Sequence, residues 1–204
     1  MAVEFKAKES FKGTFQRFWR GEAKILPAGY KLLNTISNGV ELIRATFLQI
    51  FPDDLTVAVV KHGTVISGGT TTKIRVSKEN LFEVNDYVQV YGGSLAKKIT
   101  AIDHSNESYD VITVEAALTG VAADDILVES DNATGEGVTP AAKYTPNAVL
   151  GADKKIDDTI DFPTLDVAYD AIVIKDVIPA FPADWLDEGG ICLKGNHTIK
   201  IIKQ

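Results

Sequence analysis

Short runs in which apolar and polar residues alternate dominate the middle of the chain, and they are rich in Val, Ile, Thr and Tyr. Six of them lie at 56–60, 73–76, 87–91, 95–103, 109–115 and 126–129. Turn-forming sequences separate the runs, among them Gly68-Gly69, Gly92-Gly93 and the polar octet 103–110. Short strands with a turn about every 8 to 12 residues are typical of barrels and sandwiches. The pattern predicts a small β-barrel over residues 54–130.

The preceding segment also indicates strands. Pro27-Ala28-Gly29 divides an apolar pair from an apolar run, which predicts a strand, a turn and a second strand. Asn38-Gly39 predicts another tight turn. Residues 40–51 fit helical spacing at some positions and strand alternation at others, and we assign them to a strand because an Asn-Gly turn introduces them.

The last third of the chain gives fewer signals. Residues 131–145 are rich in Gly, Thr, Ala and Pro and lack apolar periodicity, which predicts a linker or long surface loop. Strands are predicted at 171–176 and 198–202. Between them, the stretch 182–190 begins with Pro and ends with Gly-Gly, which is typical of a single helical turn.

These elements predict a mainly β protein with little helix, built from a small β-barrel or sandwich and a second β-rich part. The predicted organisation has four regions. They are an N-terminal arm with a β-hairpin (1–53), the barrel domain (54–130), the linker or long loop (131–145) and a C-terminal β-rich domain (146–204).

Aromatic and basic residues interleave in the N-terminal arm. Phe11, Phe15 and Phe18 follow helical spacing, although Gly13 weakens a helix there. Aromatic residues and Arg commonly anchor protein interfaces, so the arm is a candidate docking segment, and the alternative is that its rings cap the protein's own core. The candidate contact residues are Phe11, Phe15, Arg17, Phe18, Trp19 and Arg20.

Charge is unevenly distributed along the chain. Residues 1–31 hold seven Lys and Arg against three Glu, a net charge of +4, whereas the whole chain carries −7 and the remainder therefore −11. An acidic body repels phosphates, so we expect no nucleic-acid partner. No run approaches the roughly 20 apolar residues of a membrane-spanning helix, and the N-terminus lacks the apolar region of a secretory signal.

Catalytic and metal-binding motifs are not evident. Asp103-His104-Ser105 contains the residue types of a hydrolase triad, but neighbouring residues cannot converge, and a polar hairpin turn explains them better. The histidines His62, His104 and His197 follow no metal-binding spacing, and the acidic clusters lack the EF-hand pattern. We therefore predict a non-enzymatic protein with no metal and no cofactor. A hydrolase using Cys192 and His197 is the weakest of the functional alternatives.

Two stretches resemble proteins of tailed-phage heads. The run 81–88, continued by 96–103, 109–114 and 125–129, resembles a small β-barrel module of phage head proteins, closest to phages of Bacteroides-type gut bacteria. The turn Leu26-Pro-Ala-Gly-Tyr-Lys-Leu-Leu33 is similar to one in head decoration and head-fibre proteins. Together they cover about half of the chain.

The resemblance implies a structural virion protein that is made in the host cytoplasm and binds the capsid exterior as a decoration, auxiliary capsid or head-fibre protein. It implies the major capsid protein as partner and a homo-oligomer, often a trimer. The alternative is a module of a phage or bacterium that binds a host surface or carbohydrate, with Trp185 or Tyr144 stacking on the sugar.

Overall fold

The computed structural model describes residues 18–134, 139–157, 159 and 163–203. These residues form fifteen strands and two single turns of 3-10 helix. The strands are β1 (Lys24–Leu32), β2 (Glu41–Leu42), β3 (Phe47–Phe51), β4 (Thr56–Val59), β5 (His62–Ile66), β6 (Lys73–Ser77), β7 (Tyr87–Val90), β8 (Ala96–Asp103), β9 (Tyr109–Val114), β10 (Ile126–Ser130), β11 (Ala148–Leu150), β12 (Lys154–Lys155), β13 (Thr164–Ile174), β14 (Cys192–Leu193) and β15 (Asn196–Ile202). The 3-10 turns are Lys175–Val177 and Ala183–Trp185.

Strands β5 to β10 close into an antiparallel barrel in the order β10-β5-β6-β9-β8-β7. In β9, every second side chain is buried and points into the barrel. Such alternation gives each strand one face for the interior of a closed barrel and one face for its outside. The interior is filled by branched apolar residues such as Ile74, Ile99, Ile112 and Leu127. The predicted barrel is confirmed over five of these strands, β6 to β10. The first predicted run, 56–60, forms β4 outside the barrel, and the sequence pattern did not predict β5.

The remaining long strands form a second sheet. Its order is β1-β4-β3-β11-β13-β15-β14, and an additional pairing between β1 and β13 closes five of the strands into a ring. Leu42, Leu48, Leu150 and Leu165 are completely buried at its centre. Among the described strands, β13 is the longest, and it pairs with β1, β11 and β15 in turn.

A third hydrophobic cluster joins the two units. It combines Val60 and Val128 from the barrel side with Phe47, Val173 and Trp185 from the sheet side. Because these side chains are at most 3% exposed, the barrel and the sheet share a continuous core.

The mainly β fold with little helix is confirmed, but several local predictions differ from the structure. Strand β4 (Thr56–Val59) pairs with β1 and β3 instead of joining the barrel. Residues of the N-terminal region and of the C-terminal region build one sheet together. That sheet depends on pairings between distant parts of the chain, which local turn signals do not show.

The Pro27-Ala28-Gly29 segment does not reverse the chain. It lies within β1 as a bulge, since Leu26 pairs with Val167 and Tyr30 pairs with Leu165. Proline is tolerated there because it needs no hydrogen-bond acceptor at an irregular point of a strand. The Asn38-Gly39 turn does form, with Gly39 at φ +82° and a hydrogen bond from Val40 N to Ser37 O of 3.2 Å.

The segment predicted as a linker pairs back onto β10 at both described ends. Asp131 N donates to Ala141 O at 3.0 Å and Lys143 N donates to Glu129 O at 2.9 Å. The described residues therefore form a long loop fixed to the barrel and not a spacer between units. In the described part of the chain, no helix has the length and hydrophobicity that crossing a membrane requires.

Candidate interaction site at the N-terminal entry

The described chain begins by adding a short extended segment to β13. Trp19 forms an antiparallel bridge with Val173, Ile174 N donates to Phe18 O at 2.9 Å, and Arg20 N donates to Ile172 O at 2.8 Å. The same half of β13 pairs with β15 on its other side. The segment thus satisfies backbone groups that would otherwise lie at an open sheet edge.

The side chains of this segment separate by exposure. Phe18 and Trp19 are half-buried and pack against the cluster that holds Trp185, whereas Arg20 is exposed. Of the predicted contact residues, Phe18 and Trp19 therefore serve at least partly as anchors to the protein's own core. Phe11, Phe15 and Arg17 lie outside the described residues.

Arg44 links the entry segment to the neighbouring loop. Its guanidinium lies 5.7 Å from the centre of the Phe18 ring and binds Asp153 through two contacts, Nε to Oδ1 at 3.1 Å and Nη2 to Oδ2 at 2.6 Å. The hydrogen bonds from Arg44 lower the pKa of Asp153 below its ordinary value. This arrangement presents a fixed cation over an aromatic ring at the surface.

A cavity of about 110 Å³ lies beside Phe18. Phe47, Val60, Ile178 and Arg44 are among the residues that line it. His62 also lines the cavity, from β5 of the barrel. The cavity therefore lies where the entry segment, the sheet and the barrel meet.

His62 is a buried titratable group in this region. Its ring packs edge-on against Phe47 and Trp185, at centroid distances of 5.6 and 5.0 Å. Nδ1 lies 3.2 Å from the carbonyl oxygen of Val60, so Nδ1 carries the hydrogen, while Nε2 has no hydrogen-bond partner. Burial lowers the pKa of His62 to about 4, against a smaller opposing effect of the Val60 carbonyl. The ring is neutral at pH 7.

Buried charges lie at the junction of β7, β10 and the loop before β5. Lys61, only 1% exposed, donates to Asp86 at 2.7 Å. Lys143 donates to Glu129 Oε1 at 2.5 Å, while Glu129 Oε2 is buried without a partner. Desolvation raises the pKa of Glu129, and the hydrogen bond from Lys143 offsets only part of that effect.

The two proposed sugar-stacking residues, Trp185 and Tyr144, differ in their exposure to solvent. Trp185 is 1% exposed and stacks on Phe181 with ring centroids 6.2 Å apart, so it cannot present a face to a sugar. Tyr144 is half-buried, and it packs against Phe51 and beneath the amine of Lys143. The prediction for Trp185 is wrong because a single turn of 3-10 helix directs the indole into the core.

The structure also shows what the polar motif 103–110 and the Cys192 and His197 pair form in the folded chain. Residues 103–110 form the polar turn that was predicted, with Ser105 N and Ser108 N donating to Asp103 Oδ1 and Asn106 Oδ1, both at 2.9 Å. His104 Nδ1 lies 2.9 Å from Asp110. Cys192 and His197 come together with Asp187, a grouping that motif spacing did not reveal. No sequence signal identified His62 either, since it only follows an apolar run.

Comparison with known proteins adds no relative. No protein family matches the chain, and neither a curated protein nor a solved structure is significantly similar to it.

Proposed function

We propose that this protein is a structural component of a tailed-phage virion that binds the capsid exterior as a head decoration, auxiliary capsid or head-fibre protein. In this proposal the N-terminal segment contacts the major capsid protein and the β body projects outward. The protein is made in the host cytoplasm, carried on the virion as a homo-oligomer, and needs no catalytic step or cofactor.

The attachment of the entry segment to β13 carries the proposal. Two main-chain hydrogen bonds, to Ile172 and from Ile174, fix Phe18–Arg20 to the strand that connects most of the second sheet. Phe18 and Trp19 add half-buried rings to this attachment. A partner that holds the preceding residues would therefore be coupled mechanically to the folded body.

Charge supports the same assignment of roles. The first 31 residues carry a net charge of +4 and the rest of the chain carries −11. The N-terminal part is therefore attracted to acidic surfaces, whereas the rest of the chain is not. A basic segment with Phe11 and Phe15 suits a surface that is acidic and has apolar pockets.

The sugar-binding alternative loses its main support because Trp185 is buried. Tyr144 remains as a partly exposed ring, but the amine of Lys143 lies over one of its faces, 5.3 Å from the ring centre. We therefore retain the structural virion role as the proposed function.

The test uses capsids assembled from the major capsid protein of the same genome. A variant lacking residues 2–16 leaves Phe18–Arg20 in place and should keep its thermal unfolding transition while losing co-sedimentation with the capsids. The matched variant Phe11→Ser/Phe15→Ser keeps the length and net charge of the segment and should also lose binding. Undiminished co-sedimentation of both variants would overturn the assigned contact segment.

A further inference from the structure

Three metal-binding side chains converge where the C-terminal hairpin meets the preceding turn. One ligand atom each from Asp187, Cys192 and His197 lies within 4.8 Å of the other two. His197 Nδ1 is 3.7 Å from Asp187 Oδ2. The cluster lies within eleven consecutive residues.

An irregularity in the hairpin brings His197 to this position. Leu193 pairs with Asn196 across a tight turn, and a regular ladder would then place His197 opposite Cys192. Instead, Cys192 pairs with Lys200, so the residues following Asn196 bulge out of the ladder. Bulges commonly redirect a side chain at functional sites.

The residues on either side of His197 are tied to the sheet. Asn196 Nδ2 donates to Asn147 O at 3.0 Å, and the Thr198 hydroxyl donates to Tyr169 O. Thr198 N also donates to Asn196 Oδ1 at 3.1 Å. The backbone of the bulge is therefore fixed, while the imidazole itself is 77% exposed and can rotate.

The Asp187 carboxylate is oriented by the backbone. Its Oδ1 accepts from Ile191 N at 3.3 Å and from Cys192 N at 3.2 Å, which turns Oδ2 toward His197. The carboxylate is therefore fixed beside the thiol and the imidazole.

We propose that Asp187, Cys192 and His197 form a Zn²⁺ site with three protein ligands and one position open to solvent. Zinc binds thiolate, imidazole and carboxylate at about 2.0 to 2.3 Å in tetrahedral geometry, which places ligand atoms about 3.5 Å apart. The ligand atoms lie within 4.8 Å of one another, so small side-chain rotations would bring them to that spacing. Calcium and magnesium prefer all-oxygen ligand sets, so this mixed set selects a transition metal.

Zinc would link the turn at Asp187 to both strands of the hairpin. It would stabilise the C-terminal part of the second sheet, because the ion binds only when the three ligands are brought together by folding. The open position provides a place for water or for a side chain from another protein.

The test is a titration of the full chain with Zn²⁺ and with Co²⁺, under a reductant that does not bind metals. We expect one ion per chain, a thiolate-to-cobalt charge-transfer band, tetrahedral Co²⁺ absorption and a higher melting temperature with Zn²⁺. Cys192→Ser should abolish the charge-transfer band. Since loss of an outer-shell partner alone costs about tenfold in affinity, loss of a ligand in His197→Gln should cost at least that much.

Two further variants keep the result interpretable. Asp187→Asn retains an acceptor oxygen for the N–H groups of Ile191 and Cys192, so it should fold normally and bind zinc more weakly. His104→Gln changes a histidine that lies beside the carboxylate of Asp110 and outside this cluster, and it should bind zinc like the unaltered chain. Failure to bind Zn²⁺, or binding that survives Cys192→Ser without change, would overturn the proposed site.

Discussion

Acidification should destabilise the protein through the buried ring of His62. In the folded state the ring is buried between Phe47 and Trp185 and its pKa is about 4, whereas an exposed histidine has a pKa of 6.5. Between these values the unfolded chain takes up a proton that the folded chain does not. The stability contributed by neutral His62 is thus complete above pH 6.5 and is lost as pH falls toward 4.

The size of the effect follows from the two pKa values. The full difference corresponds to about 3 kcal/mol at 1.36 kcal/mol for each pKa unit. Between pH 7.5 and pH 5 the loss should be about 2 kcal/mol. Urea unfolding at these two pH values should show the midpoint falling by on the order of 1 M from this group.

His62→Phe isolates the contribution because it keeps an aromatic ring in the stack and removes the titration. Glu129 has a raised pKa, so its contribution grows as pH falls and partly hides that of His62 in the unaltered chain. That contribution is common to both proteins and cancels in their difference. The stability difference between the two proteins should therefore change by about 2 kcal/mol from pH 7.5 to pH 5. A pH-independent difference for His62→Phe would refute the reasoning.

Three further substitutions test the packing. Lys61→Met should destabilise the fold by about 3 kcal/mol in urea unfolding, because it leaves the partly buried Asp86 without its cation; an unchanged midpoint would contradict this. Gly63→Ala should destabilise the fold by about 1 to 3 kcal/mol in the same assay, since the new Cβ would lie 2.5 Å from Val76 Cγ1. An unchanged midpoint would contradict this, because it would mean that the neighbouring side chains can move to make room. Trp185→Ala should cost about 3 to 5 kcal/mol, and retention of full stability together with lost glycan binding would restore the sugar-stacking role.

The barrel was predictable because its information is local. Each of β6 to β10 alternates or carries β-branched residues, and turn residues such as Gly68-Gly69 and Gly92-Gly93 separate neighbouring strands. Strand β5 was missed because it follows the apolar run of β4 after only two residues. The second sheet was harder to predict because β1 and β13, which are more than a hundred residues apart, pair with each other. A strand pattern shows that a segment is extended but does not identify a partner so distant.

The candidate sites, like the fold, were predictable only where the information is local in the sequence. The amphipathic character of the entry segment was visible in the positions of Phe18, Trp19 and Arg20, but their pairing with β13 was not. The grouping of Cys192 with His197 depends on a bulge that moves the ladder register, and no spacing rule encodes that shift. Residues 103–110 were predicted correctly because Asp and Asn turns form within a few residues.

Co-sedimentation with capsids of the same genome tests the proposed function most directly. The account predicts that the full chain sediments with capsids, that the chain lacking residues 2–16 stays in the supernatant, and that both unfold at the same temperature. Failure of the full chain to bind these capsids, under conditions in which it is folded, would contradict the capsid role.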